Sequence, residues 1–485
     1  MRQRTWTACA TIFLMTACGF LFSQGVFGRA SMNAQAAEPT LDWTALNAES
    51  IAKLREYIRI DTSNPPGNES RGVAWYVKIF EAEGIPYQTG EVAPGRGSIV
   101  ARLHATVAAG AAEPAFVLLN HIDVVPASRA YWSVDPFAAE MKDGYIWGRG
   151  ATDMKSVGVA QLIAFLELHR QHVPLRRDVI FLATADEEDG AVSGAKWVVE
   201  QKPDWVAGAG FVINEGSGAR ADANGKVVYV GIGAFNKTTA WLRIVATGPA
   251  GHASVPIADS SVNKLIAALD RLRTYQPPIE LTPAVERALK SSAPYEPEPW
   301  RTRLANIDTW LQTPEARAEL EKEPHYLALV TNTISITGLT GTNKINVIPP
   351  EASALVDCRL LPGWTADRWV AELRRVIHDD SVRIEVLHSY PKSPESSLDT
   401  PLHTAIEETV HRLYPDAGVT ATTSTGFNDS YFFRERGITA YGFVPFAMLP
   451  DDGHAHGNDE RIPVQSFTNG VRLMWDVVYD FSHAQ

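Results

Sequence analysis

The sequence predicts an α/β fold in which a mixed-sheet domain is interrupted by an inserted α+β two-layer sandwich. Three observations carry that prediction. Up to about residue 234, short apolar runs rich in Val, Ile and Phe alternate with helical patterns, as in a sheet covered on both faces. Between about 235 and 392 the order becomes strand, helix, two strands, helix, strand, the pattern of a split β-α-β sandwich. After 392 the helix–strand alternation resumes, with too few strands for a core of its own. A chain of 485 residues also exceeds one ordinary core,.

The elements follow in order. "SIAKLREYIRI" puts Ile51, Leu54 and Ile58 on one helical face, and "RGVAWYVKIFEAEG" does the same with Val73, Val77 and Phe80 before stopping at Gly84,. "SIVARL", "AFVLLNHID", "DVIFLATAD" and "GFVINEG" read as strands. The helix after Asp153 carries Val159, Leu162, Ile163 and Leu166 at i, i+3, i+4, i+7. In the inserted part, "KTTAWLRIVATG", "TNTISITGL", "ASALVDCRLL" and "RIEVLHSY" are strands, with helices at "SSVNKLIAALDRLRTY" and "TADRWVAELRRVI". A Pro- and Trp-containing stretch lies at 277–324. The last part holds "LHTAIEETVHRLY", "ITAYGFVPF" and the helix "PVQSFTNGVRLMWDVVYDF". The expected organisation is a leader over 1–37, a first domain part over 38–234, the insertion over 235–392 and a second part over 393–485.

Residues 1–37 carry Arg2 and Arg4, an apolar stretch and the small-residue site "AQA". That pattern predicts a secretory signal peptide and an exported, periplasmic or secreted protein. Lipoprotein processing at Cys18 and a retained anchor are the rival readings, although Ser23, Gln24 and Gly25 interrupt the apolar run,. Cleavage would leave Cys358 alone, without a disulfide partner,. The net charge of −12 and the lack of a long basic block argue against a nucleic-acid surface,.

Acids and histidines collect at predicted strand ends: His121 and Asp123 in "NHIDVVP", Asp153 in "WGRGATDMKS", Glu187 and Glu188 in "ADEEDG", Glu215 in "INEGSG", and His454, His456 and Glu460 in "GHAHGNDE". Open α/β sheets place their sites outside the carboxyl ends of strands. Taken singly, each residue has a plainer reading. Asp153 could cap a helix, the glutamates could be a solvated loop, and the loop histidines could be exposed. Together, carboxylates with almost no Lys or Arg among them require a cation. Imidazole and carboxylate without thiolate suit zinc, with manganese or cobalt as substitutes. Two histidines and three carboxylates exceed one catalytic zinc and suit two metals sharing a bridging carboxylate.

With "DTSNPPGNE", "GPAGHASVP", "NVIPPEASALVDCR" and "HAHGNDERI" added in order, the chain resembles the M20 family of metallopeptidases and amidohydrolases from about residue 48 onward. That family includes glutamate carboxypeptidase, aminoacylase-1, succinyl-diaminopimelate desuccinylase and carboxypeptidase S. The resemblance implies a zinc-peptidase catalytic domain with an inserted lid or dimerisation domain. It implies that His121 and Glu215 hold one metal, Glu188 and His456 the other, and that Asp153 bridges them. Asp123 would orient His121, and Glu187 would be the general base, passing a proton from water to the leaving amine. His454 falls outside the family pattern. His252, often supplied by a partner subunit, would donate to the oxyanion. Arg359 would pair with a terminal carboxylate, with Asn346 and the backbone of Gly426 as further contacts. Asn428 stands where the family more often has Thr.

The implied activity is cleavage of an amide bond to an amino acid with a free carboxylate, in a small peptide or an N-acyl-amino acid, by a possible homodimer. A non-catalytic metal- or solute-binding protein is the alternative from another class, and a free Glu187 argues against it. A desuccinylase or deacetylase of biosynthesis is the third reading, and an export signal is at odds with it.

Overall fold

Parallel pairing of three apolar runs sets the centre of the molecule. In the computed structural model, which describes residues 39–108, 111–449 and 452–484, the strand Glu113–His121 lies between Arg177–Thr184 and Ala209–Asn214, parallel to both. Residues 116–119 and 179–183 are fully buried, as expected of strands covered on both faces. Antiparallel strands extend one side: Gly97–Leu103 against Arg177–Thr184, then Tyr87–Glu91 at the edge. On the other side Thr439–Gly442 joins parallel to Ala209–Asn214. Val227–Asn236 follows, with Gly418–Ser424 parallel to it. The result is a mixed sheet of ten strands among the described residues. The leader predicted over 1–37, with Cys18, lies outside them. No described helix is long and apolar enough to cross a membrane.

The helix Lys155–Arg170 departs from its amphipathic reading. Every residue from Lys155 to Leu168 is buried, because the helix is packed between the sheet and the helices Trp43–Ile58 and Val464–Ser482. Lys155 tolerates this by donating from Nζ to the carbonyls of Tyr57 (3.1 Å) and Ile60 (2.7 Å),. Gly84 closes the helix Glu69–Glu83 in the left-handed region, φ 69°, where a side chain is disfavoured.

A second sheet contains Thr333–Thr340, Glu351–Leu360, Thr238–Thr247 and Val382–Ser389, in that order and antiparallel throughout. Its two faces follow the period of two. Ala240, Leu242, Ile244, Ala354, Val356 and Cys358 face the helices Ser261–Thr274 and Ala366–Ile377, with Trp369 buried among them. Trp241, Asp357 and Arg359 face the other way. Cys358 is a buried free thiol.

The stretch 277–330 does not extend this second sheet. It forms short helices, beginning with Pro283–Ser292, whose Val285, Leu289, Trp300 and Leu304 share a core with Phe235. Tyr295 fills the space a side chain on Gly418 would need. The stretch is therefore fastened to the strand Gly418–Ser424 of the large sheet. Leu41–Ala484 form one compact unit.

Candidate metal centre

The three central parallel strands end at one level, and their carboxyl ends deliver the site. His121 is the last residue of its strand. Arg177–Thr184 runs on into a tight turn at Glu187–Asp189, and Ala209–Asn214 runs on into Glu215. Asp153 arrives just before the helix Lys155–Arg170. His456 arrives on the loop 453–460, far along the chain.

Two trios of donor atoms result, His121 with Asp153 and Glu215, and His456 with Asp153 and Glu188, all atoms of each trio within 4.8 Å of one another. Asp153 belongs to both. Its Oδ1 lies 3.2 Å from His121 Nε2 and its Oδ2 lies 3.1 Å from His456 Nε2. His121 Nε2 is 3.7 Å from Glu215, and His456 Nε2 is 3.0 Å from Glu188. Glu188 Oε1 is buried without a hydrogen-bond partner, a cost that a bound cation removes. Glu187 is in neither trio, as is His454.

The electrostatics fit a missing positive charge. Burial pushes Glu187 and Glu215 well above the usual carboxylate range, and the charges of Glu215 and of Asp153, respectively, add to it. Burial and Asp153 push Glu188 up to about 7. Burial also opposes ionisation of Asp153, but hydrogen bonds from His121 and His456 outweigh it and hold that carboxyl low. Hydrogen bonds to Asp153 and Glu188 push His456 up to about 11. These shifts come from carboxylates and imidazoles crowded together, and binding of metal ions at such a site displaces protons from its ligands.

Asp123 faces His121 as expected, and it has a second part. The acceptor nearest His121 Nδ1 is the backbone carbonyl of Asp123 at 3.0 Å, with the carboxylate at 3.5 Å. That carboxylate also accepts the backbone N–H groups of Glu187 and Glu188, both at 3.1 Å, and Asn64 Nδ2 at 2.8 Å. It holds the two glutamates in their turn. Asp186, at φ 71°, belongs to neither trio, pairs with Arg96 and accepts from Ser193 N at 2.7 Å.

Over the trios lies a cleft of about 590 Å³, lined by Asp153, Glu187, Glu188, Glu215 and His456 below and by Trp241, Asp357, Arg359 and Phe427 around them. Arg359 is already engaged. Its Nε and Nη2 donate to Asp357 Oδ1 and Oδ2 at 2.8 and 2.9 Å. Gly426 also lines the cleft, but its N–H, expected to be free for a substrate carboxylate, donates to Ser424 Oγ at 2.9 Å. His252 and Asn346 sit together elsewhere. His252 pairs with Val347 in a two-stranded ribbon, and Ala253 N donates to the Asn346 carbonyl at 3.1 Å. Both are exposed, and neither lines the cleft.

Three residues have parts in the structure that the sequence did not assign to them, and of these Asp429 was not singled out at all. Asn428 Nδ2 donates to the carbonyl of Glu215 at 2.9 Å. Asp429 is buried, accepts from Thr184 Oγ1 at 2.8 Å and leaves Oδ1 without a partner. Burial raises its carboxyl to about 7, against the pull of Thr184 and His121. Both adjoin Gly426 in "STGFNDS", the available signal. Glu460, noted only as part of a motif, proves to be fully buried.

The model of peptidase family M20/M25/M40 matches residues 117–480. Human N-fatty-acyl-amino acid synthase/hydrolase PM20D1 is 30% identical over 371 residues, covering 75% of this chain and 73% of the relative. Human aminoacylase-1 is 26% identical over 431 residues, covering 87% of this chain and 93% of the relative. The crystal structure of human carnosine dipeptidase 1 shares the fold at a TM-score of 0.70, with 17% identity over 90% of this chain and 98% of that one. The chain therefore belongs to peptidase family M20/M25/M40 and is an enzyme of its metallopeptidase and amidohydrolase kind.

Proposed function

We propose that this enzyme uses two metal ions to hydrolyse the amide bond of N-acyl-amino acids or small peptides, releasing an amino acid with a free carboxylate. The observation that carries the reading is Asp153, whose two oxygens face imidazoles from two different trios. His121, Asp153 and Glu215 would hold one ion and Asp153, Glu188 and His456 the other. The N/O donor set fits zinc, with manganese or cobalt able to replace it. Bound ions would polarise the amide carbonyl and make water nucleophilic near neutral pH. Glu187 takes the proton of the attacking water and returns it to the leaving amine. Glu187 suits that part by position, lining the cleft while belonging to neither trio. Trp241 and Phe427 supply apolar surface in the cleft, and Arg359 receives the substrate carboxylate. The relatives' names, an N-fatty-acyl-amino acid hydrolase and an aminoacylase, support this substrate class.

The test is a screen of N-acyl-amino acids of increasing chain length and of dipeptides, using purified zinc-loaded protein with a chelator control. Turnover lost on chelation and restored by metal is expected; chelator-resistant turnover overturns the metal requirement. Within the same screen, Arg359→Ala lowers kcat/KM on free-carboxylate substrates by about 10- to 100-fold, because it also leaves Asp357 unpaired against them. Equal loss on carboxyl-amidated analogues would remove that role.

His252 and Asn346 would serve the cleft of a second copy. Exposed Val255, Ile345 and Val347 surround them, an apolar setting suited to an interface. His252→Ala and Glu187→Gln proteins, each inactive alone, regain activity when their subunits are exchanged. Failure of the mixture to recover, with exchange verified by mass, places His252 outside the reaction.

A further inference from the structure

We infer that the buried pair Arg149–Glu460 is a positioning unit that sets the trio Asp153, Glu188 and His456, an inference that rests on the two-metal reading above. The two trios are not equally supported by the fold. His121 is 2% exposed at the end of a central strand. The His456 side chain is 56% exposed, on a loop where His454, His456 and Asp459 all adopt left-handed φ of 58–61°. Non-glycine residues keep such conformations only where surrounding contacts impose them.

At the end of this loop one carboxylate grips the turn that presents Asp153. Glu460 Oε1 accepts from Thr152 N (2.8 Å), Thr152 Oγ1 (2.9 Å) and Asp153 N (3.1 Å). Its Oε2 accepts from Gly150 N (3.0 Å) and Arg149 Nη1 (2.7 Å). Every donor belongs to the turn that presents Asp153. Arg149 closes the other side: Nη2 donates to the carbonyl of Gly457 at 2.8 Å, next to His456. Its guanidinium lies 5.2 Å from the centre of the Trp132 ring. Asp459 clips the same loop to Ser133, accepting from its N and Oγ at 2.7 Å each.

The pair thus joins the turn of one ligand to the loop of another across 311 residues of sequence. A buried ion pair is weak evidence for stability and is better understood as fixing a register. Here the register is the separation between Asp153 and His456. Neither Arg149 nor Glu460 belongs to a trio, so both act through other residues.

The experiment is calorimetric titration of metal-free full-length protein with Zn²⁺, for wild type, Glu460→Gln and Arg149→Lys. Glutamine keeps the shape of Glu460 but turns an amide NH₂ towards backbone donors. Wild type takes up two equivalents. In Glu460→Gln both equivalents weaken, because Asp153 serves both trios, and the weaker one, which also depends on the His456 loop, loses more, about 10- to 100-fold in affinity, the usual effect of removing an outer partner of a ligand. Arg149→Lys, which retains the charge but not the fork to Gly457, loses less, and it carries the test if Glu460→Gln fails to fold. Unchanged affinity, or equal loss at both sites, overturns the positioning role. A wild type that takes up one equivalent overturns the two-metal reading itself, and this inference with it.

Discussion

Glu187→Gln retains both metal ions and loses about 10²- to 10⁴-fold in kcat, the usual contribution of a general base. Glu187 and Glu188 are neighbours in sequence with opposite assignments. Glu188 reaches His456 at 3.0 Å and shares its trio. Glu187 reaches neither trio, yet lines the same cleft. Asp123 separates the two roles by accepting both backbone N–H groups, one on each oxygen, so the turn cannot rotate to exchange them. Metal content by elemental analysis and kcat on the best substrate of the screen decide the matter. A Glu187→Gln enzyme with two metals and full turnover sinks the mechanism.

Asp153→Asn empties the site. Asp153 is the one residue common to both trios, and the amide retains a single carbonyl oxygen where two carboxylate oxygens served two imidazoles. Both metals are lost at ordinary metal concentrations, and turnover falls on the order of 10³-fold or more, since the ions supply several kcal/mol of barrier lowering. The fold persists, because the strand ends are set by the sheet and the turn before Asp153 is held through backbone N–H groups by Glu460. Elemental analysis with circular dichroism checks this. Two retained metals would show that Asp153 is not the bridge.

Most of the centre was legible because it is built from strand ends. An apolar run followed at once by His121, Glu187–Glu188 or Glu215 announces both the strand and the place where it stops, and parallel strands stop together. Asp153 and His456 were visible as candidates, but the resemblance was needed to make Asp153 the bridge and to choose His456 over His454, since neither follows a strand directly. The supports were less visible for a physical reason: they act through backbone groups. Nothing in "NDERI" says that Glu460 accepts three backbone N–H groups from residues 150–153. The Asp357–Arg359 pair could have been read, since i and i+2 share a face of a strand. The packing of 277–330 could not, because its helices are too short for a periodic face and the strand Gly418–Ser424 they cover lies about a hundred residues on.

The carboxylate of Glu460 also fixes a chronology. His121, Asp153, Glu188 and Glu215 are synthesised in the first half of the chain, and domains form from the N-terminus as synthesis proceeds. His456 and the clamp that seats it come almost last, together with the helix Val464–Ser482 that buries the core. A ribosome-bound chain can hold its base and most of its ligands and still lack the donor that completes the second trio. On the two-metal reading, hydrolysis would wait until the loop 453–460 and the helix Val464–Ser482 dock, which would make activity a report on that docking.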